Sequence, residues 1–232
     1  MLATYIADTQ NLLNDAGGQF FRAEVLTSYI NRARRRIAML SGCVRVMPHG
    51  TQTVPGQEKY RFRDWMALVQ MEPGVREIFA IRSLAMSLGP APSGAWKPMW
   101  NYVIWSDFQA RFRIYNGTWM GAVTYPGYWS QYSFGQGGSL YLAPIPDMIM
   151  PIEVDCSCMP MPLQRDEDPE CIPQPWCDAV CYFAAFLCML QQQRPNDAQA
   201  IVQLFQAELP ACAAIVAPAR PMSPYGAVVR SV

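Results

Sequence analysis

Residues 29–40 read YINRARRRIAML, with four arginines among five consecutive positions, 32 to 36. On an α-helix successive side chains advance by about 100°. Leu26, Tyr29, Ile30, Ala33, Ile37 and Leu40 then fall on one stripe, the i, i+3, i+4, i+7 pattern of an amphipathic helix. Arg32, Arg34, Arg35 and Arg36 spread over the remaining circumference, which reads as the solvent or partner side. A plain solvated face is one reading of them; a groove or phosphate contact is the other. In both cases the segment predicts a helix from about Arg22 to Leu40, stopped by Ser41 and Gly42.

Upstream, a first helix is expected from about Thr4 to Asn14, with Leu2, Ile6 and Leu13 on one side. Asp15, Ala16, Gly17 and Gly18 break it, and the short link favours an antiparallel pair. Downstream, from Cys43 to Cys158, Gly, Pro, aromatic and β-branched residues become frequent and helical periodicity fades. Lys59-Tyr60-Arg61-Phe62-Arg63 alternates as a half-buried strand does. Residues 77–84 read as a strand. So do Ser139–Leu142 and Ile152–Asp155, on either side of a Pro-Ile-Pro-Asp turn. Ser106 to Phe112 reads as a short helix with Ser106 as its N-cap. The dense aromatics between Trp96 and Tyr132 suit core or interface; nothing in their spacing favours base stacking.

A proline-rich turn (160–175) leads into two more helices. Trp176 to Gln193 is apolar nearly all round, so protein should enclose it on several sides. Pro195 opens the last helix, whose packed side is expected to carry Ile201, Leu204, Phe205 and Glu208. Pro210 is expected to stop it. The apolar, proline-rich remainder predicts an extended arm that docks on a partner.

Eighteen basic and eighteen acidic side chains cancel, so any polyanion contact must be a local patch. Lys59 and Lys97 are the only lysines; arginine, which suits planar and partly desolvated contacts, carries the rest of the positive charge. Charged residues make up 16% of the chain and apolar ones 51%, a thin polar coat that predicts cover by other subunits. No basic segment followed by an apolar run opens the chain, and the most apolar stretch, Ala179–Leu190, is shorter than the roughly 20 residues a bilayer needs. A soluble protein made in the cytoplasm is expected.

Eight cysteines and one histidine, His49, raise the question of a metal. Cys156 and Cys158 share one face of a probable strand, and Cys177, Cys181 and Cys188 share a helical stripe with Ala184. No CxxC pair occurs, so buried reduced thiols acting as small hydrophobes are the better account, and no metal or cofactor is expected.

The order of these segments resembles the head-to-tail adaptor (connector, or tail accessory factor) proteins of tailed bacteriophages. The resemblance runs over roughly residues 2–209. It opens at LLNDAGGQFFRAEVLTSYINRARRRIA and continues through QEKYRF and PMWNYVIWSDFQARF. It is clearest at GGSLYLAPIPDMIMPIEVDCSCMPMPLQRDEDPECIPQPWCDAVCYFAAFLC. There Leu140, Leu142, Pro144, Pro146, Pro162, Leu163, Asp166, Asp168, Ile172, Pro173 and Asp178 stand at the family's typical positions. The cysteine-rich helix and the apolar tail depart from the pattern.

The resemblance implies a structural virion protein of the neck, not an enzyme. Many copies, usually twelve, would form a ring beneath the portal, with a tail or nozzle protein below. Double-stranded DNA would pass through the lumen without sequence-specific contact. The implied fold is α+β. Residues 1–42 and 160–209 would form an antiparallel helical bundle, 43–159 a central inserted antiparallel β region with one short helix, and 210–232 an extended arm. Arg32, Arg35 and Arg36 are expected to serve protein contacts, with lumen lining as the alternative. Ile215, Val216, Pro218, Pro221 and Tyr225 are the expected portal-docking residues. No membrane contact is expected.

Two other functional classes compete on the residues. A virion-associated cell-wall hydrolase needs two carboxylates across a cleft, and Asp166, Glu167, Asp168 and Glu170 cluster instead in a proline-bounded turn. A DNA-binding module using the arginine helix is opposed by the neutral net charge and by the absence of a second recognition element.

Overall fold

The arginine segment forms the helix its spacing predicts. In a computed structural model that describes residues 1–87, 96–99, 101–113 and 125–216, α1 spans Leu2–Leu12 and α2 spans Ala23–Ser41. Gly42 ends α2 in the left-handed conformation at φ 60°, and its N–H closes on the Ala38 carbonyl. A side chain would be strained there, and a Cβ would lie 2.8 Å from Arg82 Nη1. The buried stripe of α2 is turned from the one expected. Leu26, Ile30, Ala33, Arg34, Ile37 and Ala38 are buried, whereas Leu40 is half exposed.

The chain between the helical parts builds two four-stranded sheets. β1 (Arg45–Val46), β3 (Val75–Ser87), β4 (Trp96–Pro98) and β8 (Ile152–Pro160) form one, in the order β1-β8-β3-β4 with every pair antiparallel. β2 (Lys59–Arg61), β5 (Asn101–Tyr102), β6 (Tyr128–Tyr132) and β7 (Ser139–Ala143) form the other, in the order β2-β7-β6-β5. Only β5 and β6 in that sheet run parallel. The strands flanking the Pro-Ile-Pro-Asp turn thus belong to different sheets, and the turn carries the chain from one to the other. β3 shifts register against β8 at three places, and at one of them the Ile81 N–H donates to the Gln131 side chain of the second sheet, 2.9 Å away.

Local expectations were corrected in three places by tertiary context. The alternation at Lys59–Arg63 ends after Arg61, and Phe62–Trp65 turns as a 3₁₀ segment into the short α3 (Met66–Val69). There Phe62 is fully buried and its N–H pairs with the Gly138 carbonyl. The helix α4 (Trp105–Phe108), prolonged to Arg113 by a wider turn, is capped by extended Ile104 and not by Ser106, which lies inside its first turn. Finally, α6 (Pro195–Val216) runs straight through Pro210. Proline removes one N–H, but residues 206 and 210 are both exposed, so water reaches the carbonyl left over. Two residues later Cys212 is buried and its thiol donates to the Pro175 carbonyl, which holds the extra turns in place. The packed face of α6 is Ala198, Ile201, Val202, Phe205 and Cys212; Leu204 is exposed. Of the expected arm, residues 210–216 are therefore helical, and Pro218, Pro221 and Tyr225 lie outside the described residues.

α5 (Cys177–Gln191) sits at the centre of the helical part, against α1, α2 and α6, and α2 in turn lies on β8. Ala179, Val180, Cys181, Ala184, Ala185 and Cys188 of α5 join Ile78, Val154, Cys156 and Cys158 of the first sheet in one continuous core. A smaller aromatic core covers the second sheet, where Trp105 and Phe108 pack on Tyr141 and Phe112 packs on Phe108.

Candidate functional site

α2 divides its arginines between two jobs. Arg34 is 1% exposed, not solvated as its charge suggests. Its Nε and Nη2 donate to both carboxylate oxygens of Glu170, at 3.0 and 2.7 Å. Its Nη1 donates to the Met161 carbonyl at 2.6 Å and to Asn31 Oδ1 at 3.2 Å. Asn31 in turn clasps Leu163, donating to its carbonyl and accepting its N–H, both at 2.8 Å. One turn of helix thereby fixes residues 161–172. The Gly74 carbonyl accepts the Met161 N–H from the other side, and Gly74, at φ 78°, leaves only 2.6 Å between an added Cβ and the Pro169 carbonyl oxygen.

The acidic turn is consumed by this architecture. Asp166 accepts from the Met1 ammonium and from the Ala3 N–H at the start of α1 (2.9 Å), and Asp168 accepts the Gln164 and Arg165 N–H groups. Those hydrogen bonds hold both carboxyls below the usual range. A glycosidase acid needs the opposite shift, because it must donate a proton. Glu170 is occupied by Arg34 and by the Ile172 N–H. Three of the turn's four carboxylates, Asp166, Asp168 and Glu170, thus serve as acceptors that hold the local fold.

Arg32, Arg35 and Arg36 emerge on the other side of α2, all exposed. They line a groove of about 780 Å³ with Arg76 and Glu77 from the start of β3, Met159 and Pro160 from the end of β8, and Met39, Phe183 and Phe186. Met39 is 40% exposed and the two phenylalanines are half-buried, so the floor is apolar. Among the described residues, no hydrogen bond or ion pair reaches the four guanidiniums. A concave apolar floor ringed by four unpaired guanidiniums and one carboxylate suits an apolar segment that carries acids. Sequence reasoning named three of these arginines. It missed Arg76 and Phe183 because nothing local marks a strand start and a helix 100 residues away as neighbours. Arg34 was legible: at i+4 from Ile30 and i−4 from Ala38 it belongs to the buried stripe. Its charge alone placed it outside.

Of the other expected site residues, Pro218, Pro221 and Tyr225 lie outside the described residues. Ile215 and Val216 close the backbone of α6, and the placement of their side chains lies outside the description.

All eight cysteines are free thiols, and among the described residues no three His, Cys, Asp or Glu side chains converge as metal ligands. Burial pushes Cys158, Cys181 and Cys188 up to about 12 and Cys171 to about 11. The purified protein is expected to carry no stoichiometric zinc and to keep its unfolding midpoint in excess chelator. Cys181→Ala is expected to lose on the order of 1 kcal/mol through lost packing. One tightly held zinc per chain by metal analysis would defeat that expectation.

A family model described as SU10 adaptor protein matches residues 2–225 of the chain. No curated protein matches it.

Proposed function

Because the chain belongs to the SU10 adaptor protein family, whose members are structural proteins of the phage head-to-tail junction, we propose that it completes a ring beneath the portal and joins the DNA-filled capsid to the tail. Membership makes it a virion component that contacts portal and tail proteins. The finer reading is that about a dozen copies close head-to-tail around a lumen through which duplex DNA passes without sequence preference. The helices act as a bundle of residues 1–42 and 160–209, the sheets as an insertion at 43–159, and the protein performs no catalysis. Among the described residues no helix is long and apolar enough to cross a membrane.

The observation that carries this reading is the groove of Arg32, Arg35, Arg36 and Arg76 over an apolar floor, a docking surface without catalytic groups. Chain beyond Val216 supplies the portal contact, through Pro218, Pro221 and Tyr225 after Ile215 and Val216. Electron microscopy of the purified protein mixed with its portal tests both statements. Wild-type chain is expected to add a ring at the portal's tail-facing end. A chain lacking residues 217–232 is expected to stay folded and to leave the portal bare. Undiminished attachment of the truncated chain overturns the arm's role. Portal particles that never acquire a ring overturn the adaptor reading.

A further inference from the structure

We propose that the arginine groove receives the loop between β7 and β8 of a second copy of this chain, so that neighbouring subunits in the assembly lock knob into groove. The inference rests on the adaptor reading and identifies the occupant of its docking surface.

The loop, residues 144–151, reads PIPDMIMP. It presents Ile145 at 43% and Ile149 at 61% exposure on either side of exposed Asp147. Glu153, also exposed, follows at the start of β8. From Pro144 to Glu153 there are two carboxylates and no cation. The loop is also held in shape. Thr53 N–H donates to the Met150 carbonyl and Gly56 N–H to the Pro146 carbonyl, each at 2.8 Å, and Ser87 N–H donates to Pro151 at 3.0 Å. Met150 is buried beneath it. A fixed loop displaying two isoleucines loses little conformational entropy on docking.

The groove complements the loop in both respects. Its floor is apolar, matching the isoleucines, and four guanidiniums against one carboxylate match the acids. The masses of sequence that could otherwise fill it carry the wrong sign. Residues 217–232 contain Arg220 and Arg230 and no acid. A DNA backbone would meet the arginines but leave the Phe183 and Phe186 floor without an apolar partner.

Position decides between contact within one chain and contact between chains. The groove lies where β3 begins and β8 ends, at Arg76, Glu77, Met159 and Pro160. The loop lies where β8 begins and β3 ends, since Ile152 pairs with Met86 and Pro160 with Val75. The eight steps from Ile152 to Pro160 span about 26 Å of strand. No chain can place its own loop in its own groove. Knob and groove are different surfaces at opposite ends of one rigid strand pair, the requirement for a heterologous contact that repeats from copy to copy.

A photo-cross-linking residue placed at Ile149 of the full-length chain tests this, in the protein alone and mixed with its portal. The expected product is a covalent dimer whose joined peptides are the loop and residues 29–40, 76–77 or 183–186. The R35E/R36E chain is expected to lose at least tenfold in that product while its circular dichroism is unchanged. Adding E153R to the same chain is expected to restore part of it, because the signs again match there. Absence of the loop-to-groove product, or its formation undiminished in R35E/R36E, overturns the proposal. If R35E/R36E instead weakens duplex-DNA binding and leaves the cross-link intact, the groove serves nucleic acid. Rings seen by microscopy without this cross-link sink the knob-and-groove contact alone and leave the adaptor reading standing.

Discussion

Glu170→Ala is expected to cost about 3–5 kcal/mol of folding stability, the range for removing one partner of a buried ion pair. The substitution strands the Arg34 guanidinium at 1% exposure with two of its hydrogen bonds gone and leaves the Ile172 N–H without its acceptor. Typical domains have only about 5–15 kcal/mol in total, so the shift in urea midpoint should be large. The paired replacement Arg34→Met with Glu170→Leu is expected to recover much of the loss, because it removes both charges from the interior together. Asn31 would still clasp Leu163 in that variant. A loss below about 1 kcal/mol for Glu170→Ala, within the range of an exposed pair, would show that water reaches Arg34.

Alkaline conditions should act on the thiols. Burial holds Cys158, Cys181 and Cys188 near 12, whereas an unfolded chain ionises its cysteines around 8.5. The folded-state value lies above the unfolded one, so the contribution to stability is complete below about pH 8.5. It is lost progressively as pH rises through the window toward 12. The expected decline is roughly 1 kcal/mol per pH unit for each of these thiols once the unfolded chain ionises. Denaturant midpoints at pH 7, 8, 9 and 10 measure it: flat to pH 8, then falling steeply. Replacing Cys188 by alanine should make that slope shallower, even though it lowers stability at pH 7. A midpoint unchanged between pH 8 and 10 would mean that these thiols ionise as readily in the folded chain.

Much of the helical frame could be read locally. The stripe at Leu26, Ile30, Ala33 and Ile37 predicted α2 to within one residue at each end, and Gly42 marked its stop. The all-round apolar run from Trp176 predicted an enclosed helix, and α5 packs against three others. The β character of residues 43–158 was equally plain, because alternation and turn residues are local signals. Pro210 misled, since the proline rule weighs only the lost hydrogen bond and not the burial of Cys212 beyond it.

The sequence by itself therefore determined the main helices, the β character of the middle of the chain, and that a row of arginines would stand on one helix. Those properties depend on residues within a turn or two of each other. Which arginine is buried and which face a partner was decided only in three dimensions. Arg34 meets an acid 136 positions away, and Arg76, Met159 and Phe183 join Arg35 around one groove from three other elements. Charge pairing and groove shape are properties of distances through space, and those are set by how β3 and β8 carry distant segments to the two ends of one sheet.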